Sequence, residues 1–488
     1  MGLKKQLFRN TIFNGLASIY LALIQFVSIP ILIQSLGKEV FGVVAMINVF
    51  SILGYISILD LGIPATIQRF AGNYLLRQQF DDLNRLLSAA VTKLLIVSLL
   101  SGLSLVILRG IIVYDFFKLD FELGSIVMKL LIFQALLNLF SFGNLFFKNA
   151  LESLSCFKYV SFVTILIESF KIACIIYASR SELLTLSFVV YLYGILSIVT
   201  FFFYLFKFFN KIPGFSYNPT ALRFSRDEVR YSNSSLIGKF SSVVYNQSDK
   251  LLVTYYLGPS SMATYEVLSK IPSLFSKVIG LSAYAIVPSI SSSDINTVTA
   301  SKIFNLGLEY MIKLIVPVLV FFIIYSDALL EWWVGDEFLS VSNLLVLMLF
   351  WSFLTIFTFG GNILLGLNVR LKEINGFRII QATIKVVALF LMIGYFGLYA
   401  VPISFILSMS ALLYLWRIFH KEFQISYKKL LRLTMSILMI SSTIYLTYYL
   451  SFELSSIFRI TLGLSHLAIL LTMLWHKKII LIINDLKS

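Results

Sequence analysis

The fold of this chain is decided by apolar stretches such as residues 183–206, which read LLTLSFVVYLYGILSIVTFFFYLF. This stretch contains no charged residue and is bounded by Glu182 and Lys207. A helix of about 20 apolar residues is long enough to cross the hydrocarbon core of a bilayer. The stretch therefore predicts a transmembrane helix.

The composition of the 488 residues shows that such stretches dominate the chain. Hydrophobic residues make up 59% and charged residues 13%, against roughly 45–50% and 25% in soluble domains. Polar residues are too scarce to cover a water-soluble globule, and the chain is too apolar to be disordered. The composition predicts an all-α integral membrane protein with short loops and no soluble domain.

Apolar runs bounded by charged clusters predict about fourteen membrane-spanning helices. They cover residues 11–33, 41–66, 88–108, 125–147, 159–179, 183–206, 233–257, 265–290, 303–326, 342–367, 376–396, 398–419, 433–451 and 456–475. The run 11–33 has no cleavage site of small residues. We therefore predict a retained helix there rather than a signal peptide.

Lys and Arg are distributed unevenly between alternate loops. With the N-terminus placed inside, and with Arg378, Arg417 and Arg459 near span ends counted with the adjoining segments, the cytoplasmic segments hold 25 of the 39 basic residues and the opposite loops hold five. The positive-inside rule predicts that both termini and the longest loop, 207–232, are cytoplasmic. The net charge of +15 reflects this topology. Because the basic residues are scattered over eight short segments, nucleic-acid binding is a poor alternative.

Loop 207–232 divides the first twelve predicted helices into six and six. We predict an N-terminal lobe over 1–210, a C-terminal lobe over 211–420, and two extra helices in 421–488. Segments 36–42 (LGKEVFG) and 257–263 (LGPSSMA) each start with Leu-Gly and end in a small residue. This faint repeat supports two lobes related by an axis along the membrane normal, although Leu-Gly turns are also common after membrane helices.

Charged side chains inside the predicted helices need partners or a wet interior, because a central Lys costs about 2.5–3.5 kcal/mol on insertion scales. The bases are Lys93, Lys129, Lys171, Lys239, Lys250, Lys270, Lys277, Lys313 and Lys385, and the acids are Asp60, Glu168, Asp249, Glu266 and Glu309. Lys93, Lys129 and Lys239 lie near predicted helix ends, from which they can snorkel to the headgroups.

Three acid–base pairs have the spacing of neighbours on one helix face, where opposite charges can neutralise each other. They are Glu168–Lys171, Glu266–Lys270 and Glu309–Lys313. We favour a structural role for Glu266–Lys270 and a functional role for Glu309–Lys313, which lies near mid-span. Asp60 and Asp249 are candidates for ion coupling or for charge pairing.

Polar side chains also recur at helical spacing on several spans. In the seventh span they are Lys239, Ser242, Asn246 and the adjacent Asp249 and Lys250. Such stripes need a common polar interior, and the excess of bases predicts a cationic central cavity suited to an anionic, hydroxyl-rich substrate. The residues predicted to bind that substrate are Lys250, Lys277, Lys313, Arg378 and Lys385.

Catalytic patterns are missing from the sequence. It has no Walker or Rossmann glycine motif, no metal-ligand spacing, and no His beside an acid in an outer loop. We therefore predict that the chain is not an enzyme and holds no cofactor or metal.

Several short motifs carry a resemblance to a known family. They are 36–42 (LGKEVFG), 59–65 (LDLGIPA) with Arg69, 226–232 (RDEVRYS), 249–252 (DKLL), Leu257-Gly258 with Tyr265, and 333–338 (WVGDEF). In their order and spacing they resemble the polysaccharide flippases of the multidrug/oligosaccharidyl-lipid/polysaccharide exporter superfamily.

The resemblance implies two six-helix lobes around a central cavity, plus two C-terminal helices. It implies that the chain carries undecaprenyl-diphosphate-linked oligosaccharide across the bacterial inner membrane, typically a repeat unit of O-antigen lipopolysaccharide or capsule. The implied partners are this substrate, the lipid bilayer and other membrane proteins of glycan assembly.

Two rival functions remain open. A cation-coupled multidrug exporter of the same superfamily often uses an acid in its first helix, where this chain offers only Asn14, Ser18 and Gln25. A membrane-embedded glycan polymerase needs a sizeable outer loop, and the largest outer segment here is about 109–124. Both observations favour the flippase.

Overall fold

The structure is a computed structural model that describes most of the chain. Its backbone is described at residues 3–50, 55–212, 214–221, 223–291, 297–366, 371–423 and 427–487. Side chains are described at 20–50, 57–212, 214–221, 223–282, 304–363, 372–420 and 430–474. The side chains of Asn14 and Ser18, named for the first span, lie outside these ranges.

The described residues form α-helices joined by short turns, and none of them lies in a β-strand. The helices are α1 (Leu3–Leu36), α2 (Lys38–Val49), α3 (Ile63–Leu76), α4 (Phe80–Gly110), α5 (Phe121–Ser153), α6 (Phe157–Arg180), α7 (Leu186–Lys211), α8 (Arg226–Ser291), α9 (Thr297–Ile324), α10 (Ser326–Val334), α11 (Ser342–Thr355), α12 (Phe359–Gly366), α13 (Leu371–Phe396), α14 (Ala400–Ser408), α15 (Leu412–Phe423), α16 (Tyr427–Ser441), α17 (Ile444–Leu450) and α18 (Ser456–Lys487).

The predicted fold class is confirmed. Wherever the structure describes them, the fourteen predicted spans fall on a helix or on a run of consecutive helical segments. Within the described parts of the chain, nine helical stretches are long and apolar enough to cross a membrane. One of them, Lys372–His420, holds two predicted spans. The chain is therefore a multi-pass, all-helical membrane protein.

The second predicted span is wrong in one respect, because 41–66 is not one regular helix. A 3₁₀ turn covers Tyr55–Asp60, and Leu61 and Gly62 then adopt left-handed conformations with φ of 56° and 70°. Two left-handed residues in succession end a right-handed helix. A new helix, α3, starts at once, with Pro64 in its first turn, where a missing N–H costs nothing.

The seventh and eighth predicted spans are the two parts of α8, residues 226–257 and 259–291. They meet at Gly258, whose φ of 77° and ψ of −171° are not helical. Gly37, between α1 and α2, has φ 78° and ψ 160°, and Gly335, after α10, has φ 93° and ψ 173°. This region of backbone space is open essentially only to glycine. The two Leu-Gly turns of the predicted repeat therefore share a backbone conformation.

The chain divides into two compact units, Met1–Glu266 and Val267–Ser488. In the first unit, α5 packs against α3, α4 and α7, and α1 packs against α6. In the second, α9 packs against α11, α15, α16 and α18, and α13 packs against α14. The predicted lobes 1–210 and 211–420 remain a prediction.

The two C-terminal helices of the second unit are attached to α9 and α10 through an apolar core. Phe321, Tyr325, Ile444, Ile460 and Leu467 are all buried in this core. The two helices predicted as extra are thus an integral part of the packing of the second unit.

Candidate functional site

The predicted polar stripe lies on the first part of α8, within the first unit. Asn246 is exposed, and its side-chain amide donates to the carbonyl of Ser242 at 2.7 Å. The side chains of Lys239 and Lys250, on either side, are 31% and 25% exposed. A polar surface at this depth of a membrane helix requires a polar surrounding. The stripe is therefore the first candidate site.

Lys239 at one end of the stripe forms an ion pair with Asp60, which is fully buried. The other carboxylate oxygen of Asp60 accepts the backbone N–H of Gly62 at 3.0 Å. The sequence left open that Lys239 snorkels to the headgroups. In the structure its ammonium instead pairs with Asp60. The pair compensates a carboxylate that would be very costly to bury alone.

Lys250 at the other end of the stripe lies 3.0 Å from a carboxylate oxygen of Glu266. This ion pair joins the two parts of α8 across the turn at Gly258. The sequence paired Glu266 with Lys270 instead, and that pairing remains a prediction. Asp249, next to Lys250, is fully buried. Lys250 is thus a cation with a carboxylate partner rather than an isolated one.

The second unit contains the other predicted cations. Lys313 forms the predicted ion pair with Glu309, at 2.6 Å. Lys277 is exposed and has no acidic partner among the described residues. Lys385 is fully buried, with its ammonium 3.8 Å from the centre of the Phe405 ring. In this conformation Lys277 is open to a ligand and Lys385 is closed off.

Arg378 lies on the same helix as Lys385 and is partly buried. The five predicted substrate-binding residues are thus divided, with Lys250 in the first unit and the others in the second. That they line one cavity remains a prediction. The Glu168–Lys171 ion pair, on α6 of the first unit, also forms as predicted. Lys270 is partly buried.

Glu228 is the centre of a network that was not predicted from the sequence. Its carboxylate is fully buried and accepts bonds from the Tyr74 hydroxyl at 2.7 Å and from both terminal nitrogens of Arg85 at 3.2 Å. It also accepts the backbone N–H of Ser225 at 2.6 Å. Burial and the bond to Glu228 raise the pKa of Tyr74, which therefore stays a neutral donor.

One part of this network has a signal in the sequence. Ser225 and Glu228 have the Ser-x-x-Glu spacing of a capping box, in which each side chain bonds the backbone N–H of the other at a helix start. The backbone N–H of Glu228 is 3.4 Å from the Ser225 hydroxyl. Tyr74 and Arg85 are 154 and 143 positions from Glu228, so no local pattern indicates them.

The predicted cytoplasmic loop also packs against α4. The ammonium of Lys93 lies 3.6 Å from the centre of the Phe224 ring. The Ser88 hydroxyl accepts the backbone N–H of Asn218 at 3.1 Å. Lys93 thus makes a cation–π contact with the loop, in addition to any exposure to headgroups.

The Gly258 end of the first part of α8, residues 226–257, is held by different contacts. The Phe116 and Tyr255 rings are 5.5 Å apart, and the Lys118 ammonium lies 4.4 Å from the Tyr255 ring centre. A Cβ at Gly42 would overlap the carbonyl oxygen of Pro259. Residues 226–257 are therefore held at both ends within the first unit, by charges at one end and by rings and close backbone packing at the other.

Among the described residues, no three His, Cys, Asp or Glu side chains lie close enough together to hold a metal ion. The described chemistry is that of ion pairs and polar stripes inside membrane helices. Such intramembrane charges usually mark pathways for substrates or ions.

The fold and these charges define a polytopic helical membrane protein with ion pairs inside its helices. A family model described as "Polysaccharide biosynthesis protein" matches residues 7–294, which is more than half of the chain. The chain belongs to this family. A search of curated proteins gave no match.

Solved structures share the fold over nearly the whole chain. A structure of the lipid II flippase MurJ in an inward closed conformation matches with a TM-score of 0.73 and 14% identity, covering 96% of this chain and 99% of that one. An inward-facing multidrug resistance MATE family transporter matches with a TM-score of 0.61 and 14% identity, covering 83% and 93%. A transporter from Pyrococcus furiosus matches with 0.51 and 14%, covering 84% and 96%. These three likenesses show the fold that the chain shares with those proteins.

Proposed function

We propose that this chain is a flippase that moves undecaprenyl-diphosphate-linked oligosaccharide across the bacterial inner membrane. The observation that carries the proposal is the family match over residues 7–294, combined with a fold likeness that covers 96% of the chain. The proposed substrate is a repeat unit of a surface polysaccharide such as O-antigen or capsule. The chain moves this substrate without chemical change.

The proposed route is polar and cationic. A lipid-linked diphosphate sugar has an anionic group and many hydroxyls, so it needs both cations and hydrogen-bonding groups along its path. The exposed Asn246 and the partly exposed Lys250 supply these groups in the first unit. Lys277, Lys313 and Arg378 supply cations in the second.

Alternating access is the proposed mechanism, and it fits the buried position of Lys385. A side chain that is fully buried in one conformation can reach the route only in another. Ion pairs such as Lys250–Glu266 hold the cations in place until the substrate anion competes with the carboxylate. Asp60, Asp249 and Glu309 are the proposed candidates for ion coupling.

Complementation of a deletion strain tests the function. The intact gene should restore surface polysaccharide, measured by glycan staining, while lipid-linked repeat units accumulate in the deletion strain. Because Lys acts mainly as a point charge, Lys277→Arg should retain more export than Lys277→Ala at equal protein abundance. Restored drug resistance without restored glycan would instead favour the multidrug exporter, and unchanged surface glycan in the deletion strain would refute the flippase.

A further inference from the structure

We propose that the last two spans present a docking surface for a transmembrane helix of another membrane protein, one that carries a hydrogen-bond donor at the middle of the bilayer. The surface consists of Ser442, Thr443, Ser465 and His466, and we call it the mid-membrane face. The first two residues form the turn between α16 and α17, and the other two lie in α18. These helices are separate from α8, α9 and α13, which carry the residues proposed to bind the substrate.

The mid-membrane face lies too deep for contact with water or lipid headgroups. The apolar stretches that contain it are Leu430–Leu450 and Ser456–Leu474, and both are long enough to cross a membrane. His466 is ten residues from the start of its stretch and eight from the end, which is at least about 12 Å along the helix in either direction. The hydrocarbon of the bilayer has no hydrogen-bonding groups at this depth.

The mid-membrane face is nevertheless exposed on the protein. Ser442, Thr443 and Ser465 are exposed, and His466 is partly exposed. Large apolar side chains above and below these residues are also exposed; they are Met439, Leu446, Leu462 and Ile469. An exposed apolar patch of this kind marks contact with lipid or with another protein. The polar residues at its centre therefore need a protein partner for any further hydrogen bond.

The hydroxyl hydrogens on this face are already used within the chain. Ser442 and Ser465 each donate, at 2.7 Å, to the backbone carbonyl three residues earlier. Thr443 donates to the Ile440 carbonyl at 2.6 Å. Because a hydroxyl has one hydrogen and two lone pairs, these three side chains can only accept further hydrogen bonds.

The imidazole of His466 is an acceptor as well. Its Nε2 lies 3.2 Å from the hydroxyl oxygen of Thr443, and the hydrogen of that hydroxyl is used on Ile440, so Nε2 carries the proton and donates it. A ring at this depth is neutral, because a charge there would be costly, and a neutral imidazole has one N–H. Nδ1 therefore keeps a lone pair, and among the described residues nothing donates to it.

This arrangement of acceptors determines the kind of partner. Since the four side chains of the face all accept, the partner must donate an N–H or O–H at the same depth. A second copy of this chain, related by a two-fold axis, would place acceptors opposite acceptors and does not fit. A membrane helix with an amide, indole or hydroxyl side chain at its centre fits, because such groups donate hydrogen bonds and polar side chains of this kind join helices in membranes.

Nitrogen NMR of the full chain with isotope-labelled histidine, in lipid nanodiscs, tests the acceptor on His466. The signals of this ring are those that are absent from the His466→Leu variant. They should show one protonated nitrogen, Nε2, and one unprotonated nitrogen, Nδ1. A proton on Nδ1, in the other tautomer or in the charged ring, would overturn the proposal, because the face would then donate as well as accept.

Photocross-linking in native membranes tests the docking itself. A diazirine amino acid replaces Leu462, which is one turn from His466 on the same helix face, or Leu464 as the matched control. The two leucines are 43% and 47% exposed and lie at nearly the same depth, but two residues of a helix face opposite directions. Light should join a membrane-spanning segment of another protein to position 462 and not to position 464. Mass spectrometry should find an amide, indole or hydroxyl side chain near the middle of that segment.

Variants of His466 show whether the adduct depends on the hydrogen bond. His466→Leu should lower the yield at position 462 by about three- to tenfold, the effect of one hydrogen bond between membrane helices. His466→Gln keeps an acceptor oxygen and should retain most of the yield. Thr472→Val is the control and should leave the yield unchanged, because Thr472 is exposed six residues further along α18, on another face. Yields are expressed per molecule of chain in the membrane, so that lower abundance does not count as lost docking.

The other outcomes of the cross-linking each contradict the proposal. An adduct with a second copy of this chain, or with lipid alone, would exclude the partner helix. A joined segment without a donor near its middle would exclude the hydrogen bond. Equal yields from the parent and His466→Leu, or equal losses in His466→Leu and His466→Gln, would overturn the role of His466 as the acceptor.

Discussion

Gly37 and Gly258, 221 positions apart, adopt nearly the same backbone conformation, with φ and ψ of 78° and 160° in one and 77° and −171° in the other. Each follows a Leu, and each separates two membrane helices that run in opposite directions in the predicted topology. A residue with a Cβ is strained in this conformation even though neither glycine has a heavy atom within 4 Å of the Cβ position.

Gly258→Ala should therefore destabilise the protein through the backbone alone, by about 1–3 kcal/mol. Thermal unfolding of the purified protein in detergent measures the effect. Gly394→Ala is the matched control, because Gly394 is also free of neighbours within 4 Å but has ordinary helical geometry. This control should be neutral or slightly stabilising. Equal melting temperatures for the two variants would contradict the strain.

Mutations at the two residues of the Asp60–Lys239 ion pair should have non-additive effects on stability. Asp60→Asn leaves the Lys239 ammonium, whose side chain is 31% exposed, without its counter-charge and should cost about 1–3 kcal/mol of stability. The double variant Asp60→Leu, Lys239→Met should recover most of that loss, since apolar replacement of a buried pair is often neutral. Membrane abundance and melting temperature measure both. Additive losses would mean that the two charges do not depend on each other.

Variants of the Glu309–Lys313 pair distinguish a structural from a functional role for these two residues. Exchanging the two residues keeps both charges on one face of α9 and should preserve abundance under either role. For a functional pair, we expect glycan export to fall well below that of the parent in the Glu309→Gln, Lys313→Met variant, at normal protein abundance. Full export by this double variant would assign the pair to structure.

Topology is tested by reporter fusions. From the distribution of 25 against five basic residues, fusions at Arg223 and after the last helix should both report the cytoplasm. A fusion at Arg180 is the control and should report the opposite side. A periplasmic signal at Arg223 would refute the arrangement of six helices on each side of the long loop.

Local spacing in the sequence predicted part of the site. The Glu309–Lys313 and Glu168–Lys171 pairs follow from the period of the helix, because residues three or four apart share one face. Asp60 and Lys239 are 179 positions apart, so their meeting depends on how two helices pack. Helical periodicity shows which residues share a face of one helix, but not which other helix packs against that face.

The other differences between the sequence predictions and the structure arise from kinks in single helices and from the rotation of each helix about its axis. Lys250 meets Glu266 because the turn at Gly258 folds the two parts of α8 together. The burial of Lys385 is set by the orientation of α13, which the sequence positions of Arg378 and Lys385 do not fix. The break at Leu61-Gly62 depends on two left-handed residues. Only Gly62 and the following Pro64 indicate this break in the sequence.

The attachment of the C-terminal helices to α9 and α10 has a consequence for shortened forms of the protein. Removing 421–488 would uncover Phe321 and Tyr325, which are buried against Ile444 and Ile460. It would also leave Asp327 without its bonds to Tyr448 and Arg459. A protein shortened to its first twelve predicted spans would thus expose neighbouring aromatic rings and a carboxylate to lipid. The remaining chain therefore needs residues 421–488 to be purified in detergent without aggregation. A shortened protein for reconstitution must keep them.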